Sequence, residues 1–161
     1  MANSITVQVV WQLWDDALIE EIENYWSAEE MVFSQDASDR ARQVVAVARD
    51  GEGVIVGLCS VEAAFYEPFK NTFYIYRTSV AKSARGHWIS RQLFDSCFSE
   101  LNSRFEQRPE APVGVMAMIQ NQHLDRSMNQ AVRPASQLVF AGYNVLGHQI
   151  RVRYFDNALI K

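Results

Sequence analysis

The strongest constraint on the fold is a run of apolar residues with helical spacing that follows a β-rich segment. These residues recur every three to five positions: Ile89, Leu93, Phe94, Cys97, Phe98, Leu101 and Phe105. That spacing places them on one side of an amphipathic helix beginning near Trp88, and this side must be buried. The preceding segment, Thr72–Val80, is rich in Tyr, Phe, Ile and Thr and predicts a strand. A strand, a loop and a helix are therefore expected in this order.

The rest of the chain predicts strands interspersed with helices. Strands are expected at Ile5–Trp11, Val44–Ala48, Val54–Phe65 and Val113–Ile119, in a segment leading into Tyr143, and at Gln149–Phe155; helices are expected at Asp15–Phe33 and Asn121–Ala131, and a loop or short helix at Ser34–Arg42. The turn Asp50–Gly53 predicts a hairpin between the second and third strands. Gly57, inside the third strand, indicates a bulge or a close approach of backbones. We therefore expect a mixed α/β fold, and the length of 161 residues suits a single domain, 1–161.

Composition excludes several classes of protein. The chain is 48% hydrophobic and 21% charged, which is typical of a globular domain. No segment approaches the ~20 apolar residues of a membrane span, and the first residues do not resemble a signal peptide. Cys59 and Cys97 lie in apolar segments, which favours reduced core residues of a cytoplasmic protein over a disulfide. Three scattered histidines and two separated cysteines do not predict a metal site.

Charge is distributed unevenly, which matters more than the net charge of −4. Nine acids and no Lys or Arg lie between Asp15 and Asp39, whereas Lys70–Phe94 holds five basic residues and no acid. The acidic segment is either a solvated helix face or a surface that attracts a cationic amine. The basic segment is either a solvated surface or an anion site. The negative net charge argues against a general nucleic-acid binder.

The basic residues Lys82, Arg85 and Arg91 surround the predicted start of the long helix. The first N–H groups of a helix have no internal partner, and the helix dipole places partial positive charge there. A helix start preceded by a glycine-containing turn is suited to an anion. Gly86 lets the backbone approach a ligand closely or adopt a positive φ. These features favour a small ligand that carries phosphate.

The order of elements and this loop resemble the GNAT superfamily of N-acetyltransferases. The family's pyrophosphate motif reads Arg/Gln-x-x-Gly-x-Gly/Ala; Arg85 matches its first position, Ser90 its last, and Val80 the apolar end of the preceding strand. Ala141–Tyr143 is similar to a Leu-Gly-Phe segment of the family. The resemblance implies a mixed, mostly antiparallel sheet of six or seven strands with about four helices. The topology covers nearly the whole chain, and the sequence likeness is confined to about Thr72–Leu93.

The resemblance also implies acetyl-CoA as co-substrate and a small-molecule or peptidyl amine as acceptor. In the family, the cofactor lies in a cleft between two splayed parallel strands. The implied cofactor-binding residues are Thr78, Ser79, Val80, Arg85, Gly86, His87, Trp88, Ile89, Ser90 and Asn121. The sequence leaves the oligomeric state open, and a homodimer is compatible with it.

Two departures from the family pattern bear on catalysis. Trp88 occupies the usual middle glycine, where its ring either obstructs the diphosphate groove or packs beneath the helix. Tyr74 occupies a position where a glutamate base is common, and Leu138–Phe140 offers no hydroxyl in place of a tyrosine acid. The remaining catalytic candidates are Tyr74 and Tyr76, which share a strand face, and His123, which titrates near neutrality; packing or surface roles are their alternatives.

Three functions remain open on this basis. The first is an acyl-CoA-dependent N-acyltransferase that transfers acetyl to a primary amine by direct attack. The second is a GNAT-fold module that binds ligand without catalysis. The third is an interaction domain that uses its basic patch and binds no CoA.

Overall fold

A seven-stranded sheet and three α-helices make up the regular structure of the described residues. The computed structural model describes residues 4–31, 33, 35–86, 88–120 and 129–161. The elements are β1 (Thr6–Val9), α1 (Asp16–Ala28), α2 (Ala37–Ala41), β2 (Val44–Arg49), β3 (Ile55–Tyr66), β4 (Asn71–Val80), α3 (Ile89–Ser103), β5 (Gly114–Ile119), β6 (Val139–Tyr143) and β7 (Gln149–Tyr154). The predicted helix that begins at Asn121 falls mostly on 121–128, outside the described residues.

The sheet has the order β1-β2-β3-β4-β5-β7-β6. Strand β4 runs parallel to β5, whereas β1–β2, β2–β3, β5–β7 and β6–β7 are antiparallel pairs. This mixed, mostly antiparallel sheet is the one expected from the sequence. The predicted β2–β3 hairpin is also confirmed: the carboxylate of Asp50 accepts hydrogen bonds from the backbone N–H groups of Glu52 and Val54 and so orders the turn.

Helix α1 begins as predicted and ends earlier than predicted. Asp15 caps it by accepting a hydrogen bond from Leu18 N at 2.8 Å, and its apolar face buries Ile19, Ile22, Tyr25 and Trp26. At its end, Glu30 adopts a left-handed φ of 56° and Met31 N donates to Trp26 O at 2.9 Å. This closure resembles a Schellman motif, which terminates a helix. The predicted continuation to Phe33 is therefore wrong.

The chain divides into two compact units. The first contains the residues up to Val61 together with Arg77–Glu100, and the second contains Glu62–Tyr76 and Leu101–Lys161. The second unit has a core of Phe73, Val113, Met116, Ile150 and Val152. The expectation of one domain over 1–161 stays a prediction.

The first unit contains both cysteines in its interior. Cys59 on β3 and Cys97 on α3 are free and buried, which confirms their predicted place in the core. The Cys59 thiol donates to the carbonyl of Leu93 at 3.6 Å. Burial raises the pKa of the Cys97 thiol well above its usual value, and its hydrogen bond with Cys59 raises that pKa further. Both thiols therefore act as packing groups between β3 and α3.

Candidate functional site

The segment between β4 and α3 places backbone N–H groups and cations together. After Val80, Ala81 is buried and its N–H donates to Val56 O at 2.8 Å, which fixes the exit from β4 to the sheet. A short 3-10 helix, Lys82–Ala84, follows. Gly86 has a φ of +89°; among the described residues, no atom outside Gly86 and its two chain neighbours lies within 4 Å of the position that a Cβ would occupy there. The backbone at Gly86 is therefore open on that side, as the anion-site interpretation requires.

Gly57 on β3 determines how closely the start of α3 lies against the sheet. A Cβ at Gly57 would lie 3.2 Å from the Ile89 side chain and 3.2 Å from the carbonyl oxygen of Ser79. The β2–β3 register also shifts beside this residue. The predicted bulge and close approach are thus both present. The missing side chain lets the first turn of α3 and the end of β4 meet over one point of β3.

The amide N–H groups of Ile89, Ser90 and Arg91 open α3 without a protein acceptor among the described residues. The first turn contains no acidic residue. Lys82, Arg85 and Arg91 are exposed around it. Arg91 reaches Asp95 at 3.7 Å, but both side chains are about half exposed, so this pair is weak. Within the described residues, the start of α3 therefore combines donors that have no protein acceptor, the positive end of a helix dipole, and neighbouring cations.

Trp88, which precedes α3, has a backbone conformation that residues with a bulky side chain rarely adopt. Its φ is 59°, and its side chain is 74% exposed. A bulky residue in the left-handed region costs on the order of 1–3 kcal/mol. The interpretation that the ring packs beneath the helix is therefore wrong. The backbone of Trp88 lies in the left-handed region that favours glycine, and its side chain is largely exposed to solvent.

Side chains from α1 and from Glu29, which follows it, reach the end of β4 and the loop after it. Tyr25 OH and Ser79 Oγ lie 3.1 Å apart and share a hydrogen bond. The Glu29 carboxylate accepts from Lys82 N at 3.2 Å, so this N–H is occupied and lies outside the set of open donors. Burial raises the pKa of the Tyr25 phenol; the bond to Ser79 lowers it, the charge of Glu29 raises it, and Arg85 lowers it.

Tyr25 and Glu29 are site residues that the sequence analysis missed. Tyr25 lies on the apolar face of α1, where an aromatic residue indicates packing, and Glu29 is one of many acids in its segment. Their partners are 53 and 54 residues away along the chain. No local pattern reports a contact at that separation. The polar partner of Thr78 is also distant: its hydroxyl donates to Leu58 O at 3.2 Å.

Of the predicted catalytic residues Tyr74, Tyr76 and His123, the structure describes the two tyrosines. In the second unit, Tyr74–Tyr76 pair with Val115–Ala117, and the Tyr74 ring lies 6.3 Å from the Phe155 ring, centroid to centroid. This contact is what a packing role requires. Catalytic roles for Tyr74 and Tyr76 stay predictions. His123, Asn121 and His87 lie outside the described residues, so the structure describes no contact for them.

Metal-ligating side chains are scattered over the described part of the chain. No group of three or more His, Cys, Asp and Glu side chains there is placed to hold a metal ion. Among the described helices, none is long and apolar enough to cross a membrane.

Sequence and structure comparisons give different results. No protein-family model and no curated protein sequence matches this chain. Solved structures do match over nearly its full length. The GNAT family N-acetyltransferase YhbS from Escherichia coli, in complex with CoA, superposes with a TM-score of 0.62 at 14% identity, covering 98% of this chain and 84% of that one. The chain has the GNAT fold.

Two further structures support this assignment. The putative acetyltransferase yncA from Salmonella typhimurium, with its cofactor acetyl-CoA, has a TM-score of 0.61 at 17% identity and 99% coverage of both chains. A phosphinothricin acetyltransferase from Sinorhizobium meliloti, in complex with AcCoA, has a TM-score of 0.58 at 12% identity, covering 96% of this chain and 89% of that one. At these identities the likeness establishes the GNAT fold and leaves activity to the site itself.

Proposed function

We propose that the protein is an acyl-CoA-dependent N-acyltransferase that transfers acetyl from acetyl-CoA to a primary amine. The observation that carries this proposal is the open start of α3, where the N–H groups of Ile89–Arg91 have no acceptor among the described residues and lie among exposed cations. GNAT-fold structures that hold CoA or acetyl-CoA support it. A diphosphate supplies the acceptor oxygens and the negative charge that this arrangement lacks.

Cofactor binding would use two parts of the first unit. The diphosphate would accept hydrogen bonds from the amides of Ile89–Arg91 and from the Arg85 side chain, with the open backbone of Gly86 beside it. The backbone of Thr78–Val80, at the end of β4, would pair with the amides of the acyl-CoA arm. Holding the thioester in this way reduces the transfer to a positioned attack, which is a large part of the rate enhancement for such reactions.

The transfer itself forms one bond and breaks another. The ammonium group of the acceptor first gives one proton to a base or to water. The neutral amine nitrogen then attacks the thioester carbonyl carbon, the carbon–sulfur bond breaks, and CoA leaves as a thiolate. The amine loses one proton as the amide forms, and the thiolate gains one as it leaves. Tyr74, Tyr76 and His123 are the candidate groups for these proton transfers.

The acceptor would be cationic in solution because the surface near α1 is acidic. Several acids of α1 are already engaged: Asp15 caps the helix, Glu21 pairs with Arg49, and Glu29 binds the backbone of Lys82. Asp16, Glu20, Glu23 and Glu30 have no ion pair among the described residues. These carboxylates leave a negative potential that attracts an ammonium group.

A thermal-shift titration followed by a thiol-release assay tests the proposal. Acetyl-CoA is expected to raise the melting temperature, because a ligand that binds the folded state stabilises it. Adding an amine panel is then expected to release CoA thiol. Arg85→Ala should weaken acetyl-CoA binding by about 10- to 100-fold, since a hydrogen bond to a charged group contributes roughly 1.5–3 kcal/mol. The matched control is Arg108→Ala, an exposed arginine whose ion pair with Glu106, at 3.9 Å, is weak.

A second candidate function is a CoA-binding module without catalysis. The exposed Trp88 ring at the usual glycine, and the lack of a carboxylate at position 74, favour it. It predicts a thermal shift with acetyl-CoA and no thiol release with any amine. Absence of a shift, together with unchanged behaviour of Arg85→Ala, would instead favour an interaction domain that binds no CoA.

A further inference from the structure

Arg40 is a buried cation without a charged partner among the described residues. It lies on α2 in the first unit, and only 5% of its surface is exposed. Its Nη1 donates to the side-chain oxygen of Gln43 at 3.1 Å, and its guanidinium carbon lies 5.4 Å from the centre of the Phe33 ring. Its Nε is buried and has no hydrogen-bond acceptor. Within the described residues, no carboxylate lies within 4.0 Å of it.

The nearest acids along the chain are committed elsewhere or point to solvent. The Asp36 carboxylate accepts from the backbone N–H groups of Ser38 and Asp39 and so caps α2. Asp39 is exposed to solvent and forms no ion pair within the described part of the chain. Arg42, two residues after Arg40, is exposed and bonds back to Ser38. The local sequence therefore supplies no counter-charge to the buried guanidinium.

Burying a guanidinium in this position is energetically unfavourable unless an anion pairs with it. Arginine does not lose its proton in proteins, so it cannot become neutral when it is buried. Buried polar groups are nearly always hydrogen-bonded, and buried charges are paired. Gln43 satisfies one donor, and Phe33 offers its ring face, but neither supplies negative charge.

A carboxylate is the anion that fits this environment. Its two oxygens match two neighbouring N–H groups of a guanidinium, and its single charge balances that of Arg40. The surroundings are apolar on one side, because the Phe33 and Trp26 rings lie 4.7 Å apart, centroid to centroid. A phosphate dianion would bring an additional charge into this partly aromatic setting at a greater desolvation cost.

We propose that Arg40 binds a carboxylate of the acceptor, so that the acceptor carries both a primary amine and a carboxylate. This inference rests on the proposed function and narrows its substrate class. The acidic residues of α1 attract the ammonium group, and Arg40 holds the carboxylate. Helices α1 and α2 contact each other within the first unit, so the groups proposed to bind the ammonium and the carboxylate lie on the same unit.

The test compares L-amino acids with their own carboxamides as acceptors. The two members of each pair share the side chain and differ in one negative charge. Because the carboxamide also has the less basic amine, kcat/KM is compared per neutral amine. With acetyl-CoA, the wild-type protein is expected to prefer the amino acid by tenfold or more in kcat/KM. Arg40→Gln should reduce that ratio to near one, Arg40→Lys should retain part of it, and Arg42→Gln, the matched control on an exposed arginine, should leave it unchanged.

A second measurement separates this inference from the proposed function. Without acetyl-CoA, amino acids are expected to raise the melting temperature of the wild-type protein more than their carboxamides do, and Arg40→Gln should abolish the difference. This readout holds even if no acceptor releases thiol. Equal effects of acids and amides on the wild-type protein, or a preference that survives in Arg40→Gln, would overturn the inference. If Arg40→Gln fails to fold, the wild-type pairs and Arg40→Lys decide the matter.

Discussion

The start of α3 and the buried face of α2 present positive charge in two different ways. At α3 the donors are backbone N–H groups, and the cations around them are exposed on long side chains. At α2 a single guanidinium is buried beside aromatic rings, and its orientation is fixed by Gln43. The first arrangement suits a large, highly charged and partly solvated group such as a diphosphate. The second suits one small planar anion.

Under the two proposals, the start of α3 determines the affinity for acetyl-CoA, and Arg40 determines the preference among acceptors. Substitutions at the start of α3 should change how tightly acetyl-CoA binds and leave the preference among acceptors unchanged. Substitutions at Arg40 should change the preference among acceptors and leave the affinity for acetyl-CoA unchanged. Changes at the start of α3, or at its connections to β3 and α1, test whether the two regions are independent.

Ser90→Asp should have the largest effect on the affinity for acetyl-CoA, because it places a carboxylate in the first turn of α3. Repulsion between this carboxylate and a diphosphate is expected to weaken acetyl-CoA binding by about 30–100-fold, on the order of 2–3 kcal/mol. The same carboxylate should stabilise the free protein by about 0.3–1 kcal/mol through the helix dipole. Calorimetric titration and chemical denaturation measure the two effects.

The control for this change is Ser99→Asp, at an exposed position farther along α3. It is expected to leave acetyl-CoA affinity within about twofold. If Ser90→Asp binds acetyl-CoA as tightly as the wild-type protein, the diphosphate does not lie at the start of α3.

Gly57→Ala should act through packing. The added Cβ would lie 3.2 Å from both the Ile89 side chain and the backbone carbonyl of Ser79, and a backbone atom gives way less readily than a side chain. We expect a loss of about 1–3 kcal/mol in the free energy of unfolding, together with weaker acetyl-CoA binding as the start of α3 moves. Gly51→Ala, where the nearest atom is the Ser4 hydroxyl at 3.9 Å, is the matched control for denaturant melts. Equal stability of the two variants would contradict the close approach.

Tyr25→Phe should remove one hydrogen bond between α1 and β4. The loss of the bond to Ser79 is expected to lower the free energy of unfolding by about 1 kcal/mol. Ser79→Ala should have a similar effect, and the double variant should lose little more than either single variant, because both changes break the same bond. Additive losses in this double-mutant cycle would show that the bond contributes nothing.

The pH dependence of stability tests the burial of the Tyr25 phenol. Burial raises its pKa in the folded protein above the unfolded value of 10.0. The unfolded state therefore loses the phenol proton first, and stability that is fully present below pH 10 is lost as the pH rises through the folded pKa. Above pH 10, wild-type protein should lose stability more steeply than Tyr25→Phe. Parallel curves in urea melts across this range would contradict the raised pKa.

Trp88→Gly should have the smallest effect on stability. It relieves the left-handed strain at a φ of 59° but adds about 0.5–1 kcal/mol of chain entropy to the unfolded state. The melting temperature should therefore be unchanged or slightly raised. Because Trp88 directly precedes Ile89 in the chain and its ring is exposed, we expect its removal to let acetyl-CoA bind several-fold more tightly in calorimetric titrations. Weaker binding would show that the indole contributes contacts to the ligand.

The parts of the molecule that depend on neighbouring residues along the chain could be predicted. The periodicity after Trp88 predicted α3, and the position of Gly57 inside an apolar strand predicted a close approach. The end of α1 could not be predicted, because its left-handed residue is Glu30, and that residue type does not signal a helix stop. The contact of Tyr25 with Ser79 and the buried position of Arg40 depend on how α1, α2 and β4 pack together. Local spacing carries no information about such packing.

Binding of the acetyl-CoA diphosphate to the open amides of α3 is the central claim, and amide-resolved NMR tests it most directly. Titrating isotopically labelled protein with acetyl-CoA should shift the backbone N–H resonances of Gly86, Ile89, Ser90 and Arg91 most strongly. The amide of Lys82, already bonded to Glu29, should shift less. Saturating acetyl-CoA that leaves the amides of Ile89–Arg91 unshifted, or that shifts only residues of the second unit, would contradict this binding mode.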